Sequence, residues 1–459
     1  MINVLRQLIR PVGTTDVVVI GAGHAGLAAS YSLSERGVDH IVLERGEIAN
    51  SWRNERWDSL RLLTPNWQSR LPGFEYAGED PDGFMSMPEV IEFIEEYAKF
   101  ARAPVYKHTT VQSVQRNFFG YRVVTNRGTW NAKAVVMATG ACNIANKPSV
   151  ADDVPPGIAS LTPHQYRNPR QLSRGGVLVV GASATGLQLA GEIREAGFEV
   201  TLAAGEHVRM PRKYRGRDIQ FWLDRSGILD ETWQEIDDLT RARHLPSPQL
   251  VGSHELPILD LNHLTRNGVR LTGRLMRIAD GVAQFSGSLR NICSLADLKM
   301  NRLLDAIDAF ADENSIPCDA PERFDATRVP EEPPLMIDLD RVGIRTIVWA
   351  TGFRPDYSWL EVPVFDDRGN LRHDGGIVDE PGLYVLGLPM LRRRKSSYIH
   401  GIEDDVRDIT DHLARYLHDN STDGASRGLA HGRATAGQVW HDPRRLPGTP
   451  SVTETSGQM

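Results

Sequence analysis

Two stretches of the chain share one order of apolar and polar positions. In each, a short unbroken apolar run is followed by a segment with helical spacing and then by a second apolar run. The predicted elements are a strand at residues 16–20, a helix through Leu33 and a strand at 40–43 in the first stretch, and a strand at 176–180, a helix at 187–196 and a strand at 198–202 in the second. Apolar runs of this length are typical of strands buried inside a sheet. The pattern therefore predicts an α/β chain with two similar units.

The remaining periodic segments extend both units. Helices are predicted at residues 88–100, 301–313 and 403–418, and strands at 109–114, 121–125, 134–137, 268–277, 282–286, 344–352 and 383–387. Prolines that recur between residues 146 and 169 mark a crossing between two domains. From residue 419 onward apolar residues become few, which predicts a disordered tail.

A glycine motif opens the helix of each unit. In the first unit Gly21 makes a tight turn, Gly23 lets the backbone approach a pyrophosphate, and Gly26 lets the helix pack closely on the strand. The N-terminus of the helix presents free N–H groups and a positive dipole end to the phosphates. Glu44 ends the second strand, where its carboxylate can accept hydrogen bonds from a ribose diol. This order of elements predicts a dinucleotide site.

The second motif differs from the first at two places. Ser183 stands where the middle glycine was, and Ala203 is taken as the position corresponding to Glu44, so no carboxylate ends this strand. A basic run follows, formed by Arg209, Arg212, Lys213 and Arg215. Because a ribose 2′-phosphate is repelled by an acid and attracted by arginines, the pattern predicts NADP rather than NAD. A solvated basic face is the alternative interpretation of the same run.

Composition and charge narrow the class of protein. The 459 residues are 41% hydrophobic and 24% charged, and the formal net charge of -7 gives no basic surface for nucleic acid, so small molecules are the expected partners. The 3 cysteines, Cys142, Cys293 and Cys318, form no CxxC, so neither a disulfide framework nor a metal site is predicted, and a reducing, cytoplasmic compartment fits. No apolar run reaches the length of about eighteen residues that suggests a membrane-spanning helix.

A loop-rich segment after Glu44 is dense in Trp and Arg. Trp52, Arg56 and Trp57 follow no helical or strand period, which is typical of a segment packed against a flat or anionic ligand such as an isoalloxazine. Tryptophans that fill the core are the alternative. Farther along, the small residues 138–140 follow a buried strand and let a ligand approach the backbone.

The order of these motifs resembles that of one known family. The motifs are a first GxGxxG with Glu44, the segment around Trp52, Ala138-Thr139-Gly140, a second GxSxxG from Gly181, the sequence ATGFRP at 350–355 and the sequence GLYVLG at 382–387. Together they look like the flavin-containing monooxygenases. Within the class B flavoprotein monooxygenases, the chain is most similar to the bacterial group near the plant YUCCA enzymes. The resemblance covers roughly residues 16–418.

The resemblance implies a fold, two cofactors and an activity. The fold is α/β, with two Rossmann-like domains of the three-layer ββα type, the NADPH domain being inserted in the FAD domain. The implied domains are a first FAD part at 1–165, an NADPH domain with a possible substrate-pocket segment at 166–344, a second FAD part at 345–418 and the tail at 419–459. The implied activity is hydride transfer from NADPH to FAD, followed by insertion of one oxygen atom from O2 into a small organic substrate through a C4a-(hydro)peroxyflavin.

The same resemblance implies the cofactor contacts. Those to FAD are Gly21, Gly23, Ala25, Gly26, Glu44, Arg45, Trp52, Leu63, Val111, Ala138, Thr139 and Gly140. Those to NADPH are Ser183, Ala184, Thr185, Gly186, Arg209, Arg212 and Lys213.

Several positions depart from the family pattern. The FxGxxxH motif before the second unit is absent, which disfavours Baeyer-Villiger activity, and Ser51 replaces the glycine before Trp52. The family Asn of a Thr-Asn pair has its nearest counterpart in Asn66, which we take as the candidate catalytic residue for a hydrogen bond to the flavin peroxide. A turn-forming Asn after proline is the alternative. Two rival functions stay open, an NAD(P)H-dependent flavin reductase without oxygen insertion and a non-catalytic flavoprotein redox sensor, and so does a homo-oligomer.

Overall fold

Two sheets, one with a parallel centre and one parallel throughout, contain most of the long apolar runs of the chain. The computed structural model describes residues 11–253, 255 and 258–430. Contacts divide the chain into two compact bodies, one that ends at Leu417 and one that begins at His418. Both sheets lie in the first body, which is described below.

The elements lie in three consecutive parts of the chain. The first part has β1 (Pro11–Ile20), α1 (His24–Glu35), β2 (His40–Leu43), α2 (Asn50–Asn54), β3 (Arg70–Leu71), β4 (Phe74–Glu75), α3 (Met87–Phe100), β5 (Val105–Tyr106), β6 (Val111–Asn117), β7 (Gly120–Thr125), β8 (Gly128–Met137), β9 (Ile144–Ala145) and β10 (Ala159–Leu161). The second part has β11 (Gly176–Val180), α4 (Ala184–Glu195), β12 (Val200–Ala203), β13 (Lys213–Tyr214), β14 (Arg217–Asp218), α5 (Ile219–Arg225), α6 (Leu239–Arg243), α7 (Leu261–Arg266), β15 (Arg270–Thr272), β16 (Leu275–Ala279), β17 (Val282–Phe285), α8 (Leu289–Glu313), β18 (Met336–Asp338) and β19 (Ile344–Trp349). The third part has β20 (Phe353–Arg354), β21 (His373–Asp374), β22 (Ile377–Val378), β23 (Leu383–Val385) and α9 (Ile402–Ala430).

The first sheet has the strand order β21-β22-β23-β8-β1-β2-β5, with β7 attached to β8 and β6 to β7. Its centre is parallel, and Ile20 of β1 lies opposite both Leu43 of β2 and Met137 of β8. Val17, Val18 and Val19 are fully buried, as the unbroken apolar run predicted. Because the three central strands end in register, the turns after β1, β2 and β8 meet at one edge of the sheet.

The second sheet repeats this arrangement with the order β10-β19-β11-β12-β15, all parallel. Val180 of β11 lies opposite Ala203 of β12 and Trp349 of β19. This sheet therefore draws strands from both sides of the predicted limits at residues 165 and 344, since β10 precedes the first limit and β19 follows the second.

Several predicted elements have different ends in the structure. The strand expected at 268–277 is divided into β15 and β16 by Gly273 and Arg274. Helix α8 begins at Leu289, well before the predicted residue 301. The prediction missed its first half because the residues buried there include Cys293 and Ala296, which are small and give a weak apolar pattern. Helix α9 continues beyond the predicted end at His418 to Ala430, and residues 431–459 of the predicted tail lie outside the described residues.

Membrane-spanning helices and metal-binding clusters are both absent from the described residues. No helix there is long and apolar enough to cross a membrane. No group of three His, Cys, Asp or Glu side chains there is placed to hold a metal ion.

Candidate functional site

A cavity of about 650 Å³ opens at the edge of the first sheet where β1, β2 and β8 end. Ten of the residues expected to contact FAD line it: Gly21, Gly23, Ala25, Glu44, Arg45, Trp52, Val111, Ala138, Thr139 and Gly140. They come from six different elements and turns, which the parallel register brings to one place.

The glycines of the first motif differ in what surrounds them. Gly21 has a φ of +108°, and a Cβ there would lie 2.5 Å from the Ala138 carbonyl oxygen. A Cβ at Gly26 would lie 1.9 Å from the carbonyl oxygen of Gly21, so only glycine lets α1 pack this closely on the turn. Gly23, in contrast, has none of the described atoms within 4 Å of such a Cβ, so it faces open space in the cavity. The first N–H groups of α1 receive no side-chain cap there, which leaves them free for an anionic ligand.

Glu44 is buried and held at the end of β2 by two backbone donors. Its Oε2 accepts a hydrogen bond from Ala22 N at 2.9 Å, and its Oε1 accepts one from Gly46 N at 2.9 Å. A carboxylate has about four lone-pair sites, so acceptor capacity remains for a ribose diol in the cavity.

His24 was not among the predicted site residues, yet it lines the first cavity. Its ring is partly exposed as a whole, but its Nε2 is buried without a hydrogen-bond partner among the described residues. Burial lowers the pKa of His24 to about 4, so the imidazole is neutral at physiological pH. The motif pattern leaves this position unspecified, and hence gave no signal for it.

Three residues predicted to contact flavin lie outside the lining of this cavity. Gly26 acts through helix packing instead. Leu63 contributes its carbonyl oxygen to Arg212 at 2.8 Å. The Nδ2 of Asn66 donates to the Asp80 carbonyl oxygen at 2.9 Å, and its backbone N–H donates to the Gly83 carbonyl oxygen. Asn66 thus ties two loops together outside the lining of the cavity, while its Oδ1 is buried without a hydrogen-bond partner among the described residues. Its role as the candidate catalytic residue stays a prediction.

A second cavity, of about 850 Å³, opens at the corresponding edge of the second sheet. Gly181, Ser183 and Thr185 line it. A Cβ at Gly181 would lie 2.2 Å from the Ala350 carbonyl oxygen, and one at Gly186 would lie 1.9 Å from the Gly181 carbonyl oxygen. Ala184 is buried in the same turn. The second unit therefore has the geometry of the first, with β19 in the place of β8.

The strand register corrects one predicted correspondence. Gly21 N donates to Leu43 O at 2.8 Å, and Gly181 N donates to Ala203 O at 2.9 Å. The counterpart of Glu44, which follows Leu43, is therefore Ala204 and not Ala203. The absence of a carboxylate at the end of this strand still holds, because both residues are alanines.

The basic run predicted to bind the 2′-phosphate is engaged elsewhere. Arg209 is 3% exposed and forms ion pairs with Asp260 at 2.6 Å and Asp297 at 2.7 Å. Arg212 is 1% exposed and pairs with Asp218 at 2.7 Å, and Lys213 is exposed but outside the lining of the second cavity. Neither arginine lines the second cavity. All three guanidinium nitrogens of Arg209 are bonded, and so are both terminal nitrogens of Arg212, whose buried Nε has no partner among the described residues. The structure therefore places neither side chain as a phosphate ligand of this cavity. The aspartates that hold Arg209 lie 51 and 88 residues away along the chain, so local sequence gave no sign of them.

The two cavities meet. Both are lined by Ala141, Cys142, Ser247 and Pro389. The loop after β8 is held there by Asn143, whose Nδ2 donates to Thr139 O at 2.8 Å and whose Oδ1 accepts from Asp356 N at 3.1 Å. Burial raises the pKa of the Cys142 thiol, so this side chain is uncharged at the junction. Ligands that extend from the two glycine turns would meet at these residues.

Two glycine turns that open into adjoining cavities define the class of oxidoreductases with two dinucleotide-binding domains. Residues 18–226 match the family model for pyridine nucleotide-disulphide oxidoreductase. Over 409 residues the chain is 31% identical to the uncharacterized oxidoreductase CzcO-like of Geobacillus kaustophilus, covering 86% of this chain and 99% of that protein. Over 397 residues it is 27% identical to indole-3-pyruvate monooxygenase YUCCA8 of Oryza sativa subsp. indica, covering 81% of this chain and 85% of that protein.

Among solved structures, the flavin-containing monooxygenase from Stenotrophomonas maltophilia has a TM-score of 0.62 at 20% identity, covering 88% of this chain and 99% of that one. That likeness shows the fold, with its two Rossmann-like domains. The chain belongs to the flavin-containing monooxygenase family, which confirms the resemblance drawn from its motifs, and it is an oxidoreductase.

Proposed function

We propose that the protein is an FAD-dependent monooxygenase that uses NADPH and O2 to insert one oxygen atom into a small organic substrate, with water as the other product of O2. The observation that carries this proposal is the junction of the two cavities at Ala141, Cys142, Ser247 and Pro389. A nicotinamide that donates hydride to a flavin must reach it closely, and only adjoining cavities permit that contact.

The first cavity fits FAD by the chemistry of its lining. The free N–H groups at the start of α1 and the open space at Gly23 suit a pyrophosphate. The Glu44 carboxylate has acceptor capacity for the ribose, and the unpartnered Nε2 of His24 offers a further polar contact. FAD, when bound, supplies the redox and oxygen chemistry that side chains lack.

The second cavity fits NADPH. The start of α4, at Ser183 and Thr185, offers its N–H groups to a second pyrophosphate, and no side chain caps them. Ala204 in place of an acid removes the repulsion that a 2′-phosphate would meet at the end of β12.

The task of the junction residues in this proposal is to orient the reacting rings and to keep charged side chains away from them. None of the four shared residues carries an ionised side chain, and Cys142 is kept neutral by burial. An uncharged lining keeps ionised side chains, which could exchange protons, away from a reactive oxygen species.

Product analysis with isotopic oxygen tests the proposal. Purified protein should be yellow and retain FAD, and NADPH should bleach the flavin absorbance without oxygen. With ¹⁸O2 and a panel of amines, sulfides, indoles and 2-oxo acids, mass spectrometry should find one ¹⁸O atom in a product. Bleaching by NADPH with no ¹⁸O product would favour the flavin reductase, and a bound flavin that NADPH does not bleach would favour the redox sensor.

The proposed compartment is the cytoplasm. The 3 cysteines are widely spaced without any CxxC and suggest no disulfide framework, which fits a reducing compartment.

A further inference from the structure

One arginine stands at the edge of the second sheet beside the end of β12. Strands β12 and β15 are parallel, with Ala203 opposite Thr272, and Ala204 N donates to Thr272 O at 2.9 Å. The residues just after both strands therefore lie side by side. Arg274 follows β15 in this position and lines the second cavity.

The backbone fixes where Arg274 lies. A Cβ at Gly273 would lie 1.9 Å from the Ser286 carbonyl oxygen, so the chain passes this close to the end of β17 only with glycine. Ser286 N then donates to Arg274 O at 2.8 Å. The Cγ of Arg274 lies 3.9 Å from the place that a Cβ of Gly205 would take. The break in the predicted strand at 268–277 thus brings one basic side chain over the glycine that follows Ala204.

The charge of Arg274 is available, unlike that of Arg209 and Arg212. Arg274 is exposed, and no residue in the described part of the chain pairs with its guanidinium. The acid that shares this part of the cavity, Glu206, forms an ion pair with Lys299 at 3.2 Å, which reduces its repulsion of an anion.

The other cations of the second cavity lie elsewhere along it. Arg354 is in β20, which follows β19 and pairs with β9, and Lys147 comes two residues after β9. The sheet order puts β19 on the opposite side of β11 from β12 and β15. The Nε of Arg243 points to Met390 O at 3.5 Å, next to the junction residue Pro389. Among the lysines and arginines that line the second cavity, Arg274 is thus the one that follows the strand next to β12, on the side of the ribose position that Glu44 marks in the first sheet.

We propose that Arg274 binds the 2′-phosphate of NADPH and sets the preference for NADPH over NADH. This inference rests on the proposed function, because it takes the second cavity as a nicotinamide nucleotide site. An arginine guanidinium offers paired N–H donors to a phosphate, and hydrogen bonds between two charged groups are the strong ones.

Nucleotide fragments test the inference without turnover. Calorimetric titration of the FAD-loaded protein with 2′,5′-ADP and with 5′-AMP measures the contribution of the 2′-phosphate alone. In wild type 2′,5′-ADP should bind more tightly than 5′-AMP. In Arg274→Ala the affinity for 2′,5′-ADP should fall about 10- to 100-fold while that for 5′-AMP stays the same. Arg274→Lys should restore part of the loss. Arg277→Ala, which removes an exposed arginine of the neighbouring strand β16 outside the cavity lining, should leave both affinities unchanged.

Three results would overturn the inference. These are equal binding of the two fragments by wild type, an unchanged affinity for 2′,5′-ADP in Arg274→Ala, or an equal loss in Arg277→Ala, which would indicate a general charge effect. The proposed function is judged separately by the bleaching of wild-type flavin by NADPH and by the ¹⁸O product. If flavin is bleached while Arg274→Ala keeps its affinity for 2′,5′-ADP, only the role of Arg274 fails.

Discussion

At the scale of single residues, Gly26 and Gly23 of the first motif have different roles, one in helix packing and one in ligand space. At Gly26 an added Cβ would meet a carbonyl oxygen of the backbone at 1.9 Å, whereas at Gly23 it would enter the open cavity. We expect Gly26→Ala to lower the free energy of unfolding by about 1 to 3 kcal/mol, the usual cost of forced overpacking. Alanine's better helix propensity, about 1 kcal/mol, offsets part of this. Urea unfolding of the apoprotein measures the effect.

The matched variant Gly23→Ala should leave apoprotein stability unchanged and weaken FAD binding, because its methyl group occupies ligand space. FAD titration followed by flavin fluorescence measures this. Equal stability of Gly26→Ala and wild type would contradict the packing role, and unchanged FAD affinity of Gly23→Ala would contradict the placement of the pyrophosphate.

At the scale of elements, the sequence predicts what is local and misses what depends on distant partners. The apolar runs gave β1, β2, β11 and β12 because strands buried on both faces leave that mark. The end of β15 at Gly273 was missed, since the reason for that glycine is the Ser286 carbonyl oxygen on another strand. The assignment of the basic run after β12 to a phosphate also failed to take account of distant partners. The acidic partners of Arg209 lie on α8 and just before α7, far along the chain.

The Arg209 ion pairs bind three elements of the second unit together, and this role is testable. Arg209→Ala would leave Asp260 buried and without its cation, so we expect a loss of about 3 to 5 kcal/mol in the free energy of unfolding. Lys213→Ala, at an exposed position nearby, should change it by less than about 0.5 kcal/mol. Denaturant unfolding of both variants gives the comparison. A stable Arg209→Ala protein that discriminates poorly between 2′,5′-ADP and 5′-AMP would restore the original ligand role.

At the scale of the whole molecule, the chain contains one arrangement twice. Ala138-Thr139-Gly140 follows β8 beside β1, and Ala350-Thr351-Gly352 follows β19 beside β11. The sequence showed both motifs, but it could not show to which sheet β19 belongs. Strands that are buried on both faces have the same apolar composition in either sheet. The resemblance implied hydride transfer from NADPH to FAD, but not which residues would lie where the two cavities meet. Those residues, such as Ser247 and Pro389, come from loops without a motif.

The free energy of unfolding of the whole fold depends on pH, and the contribution of His400 to this dependence can be tested. Burial and the positive charges of Arg70 and Lys395 lower the pKa of His400 to about 3, against about 6.5 in an unfolded chain. Between these values the unfolded state binds the additional proton, so stability falls as pH drops from 6.5 toward 3, at up to roughly 1.4 kcal/mol per pH unit. Asp405, whose pKa burial raises to about 6, acts in the opposite direction but equally in wild type and variant.

His400→Gln should therefore lose stability less steeply than wild type between pH 6.5 and 4.5, as measured by urea midpoints at several pH values. Parallel slopes for His400→Gln and wild type would show that His400 is not held neutral by the fold.

The junction itself can be closed without touching either glycine turn, because Cys142 lines both cavities. Cys142→Phe places a larger ring between the two ligands, so FAD and 2′,5′-ADP should bind as in wild type while bleaching of the flavin by NADPH slows by about 100-fold or more, since small displacements of reacting groups cost that much. Anaerobic stopped-flow spectroscopy measures the rate.

The control variant Cys142→Ser keeps the size of the side chain, so NADPH should bleach its flavin at the wild-type rate. If the serine variant is slowed as much as the phenylalanine variant, the thiol takes part in electron transfer and a thiol-dependent reductase becomes the better description. Fast bleaching in Cys142→Phe would mean instead that the two rings meet elsewhere.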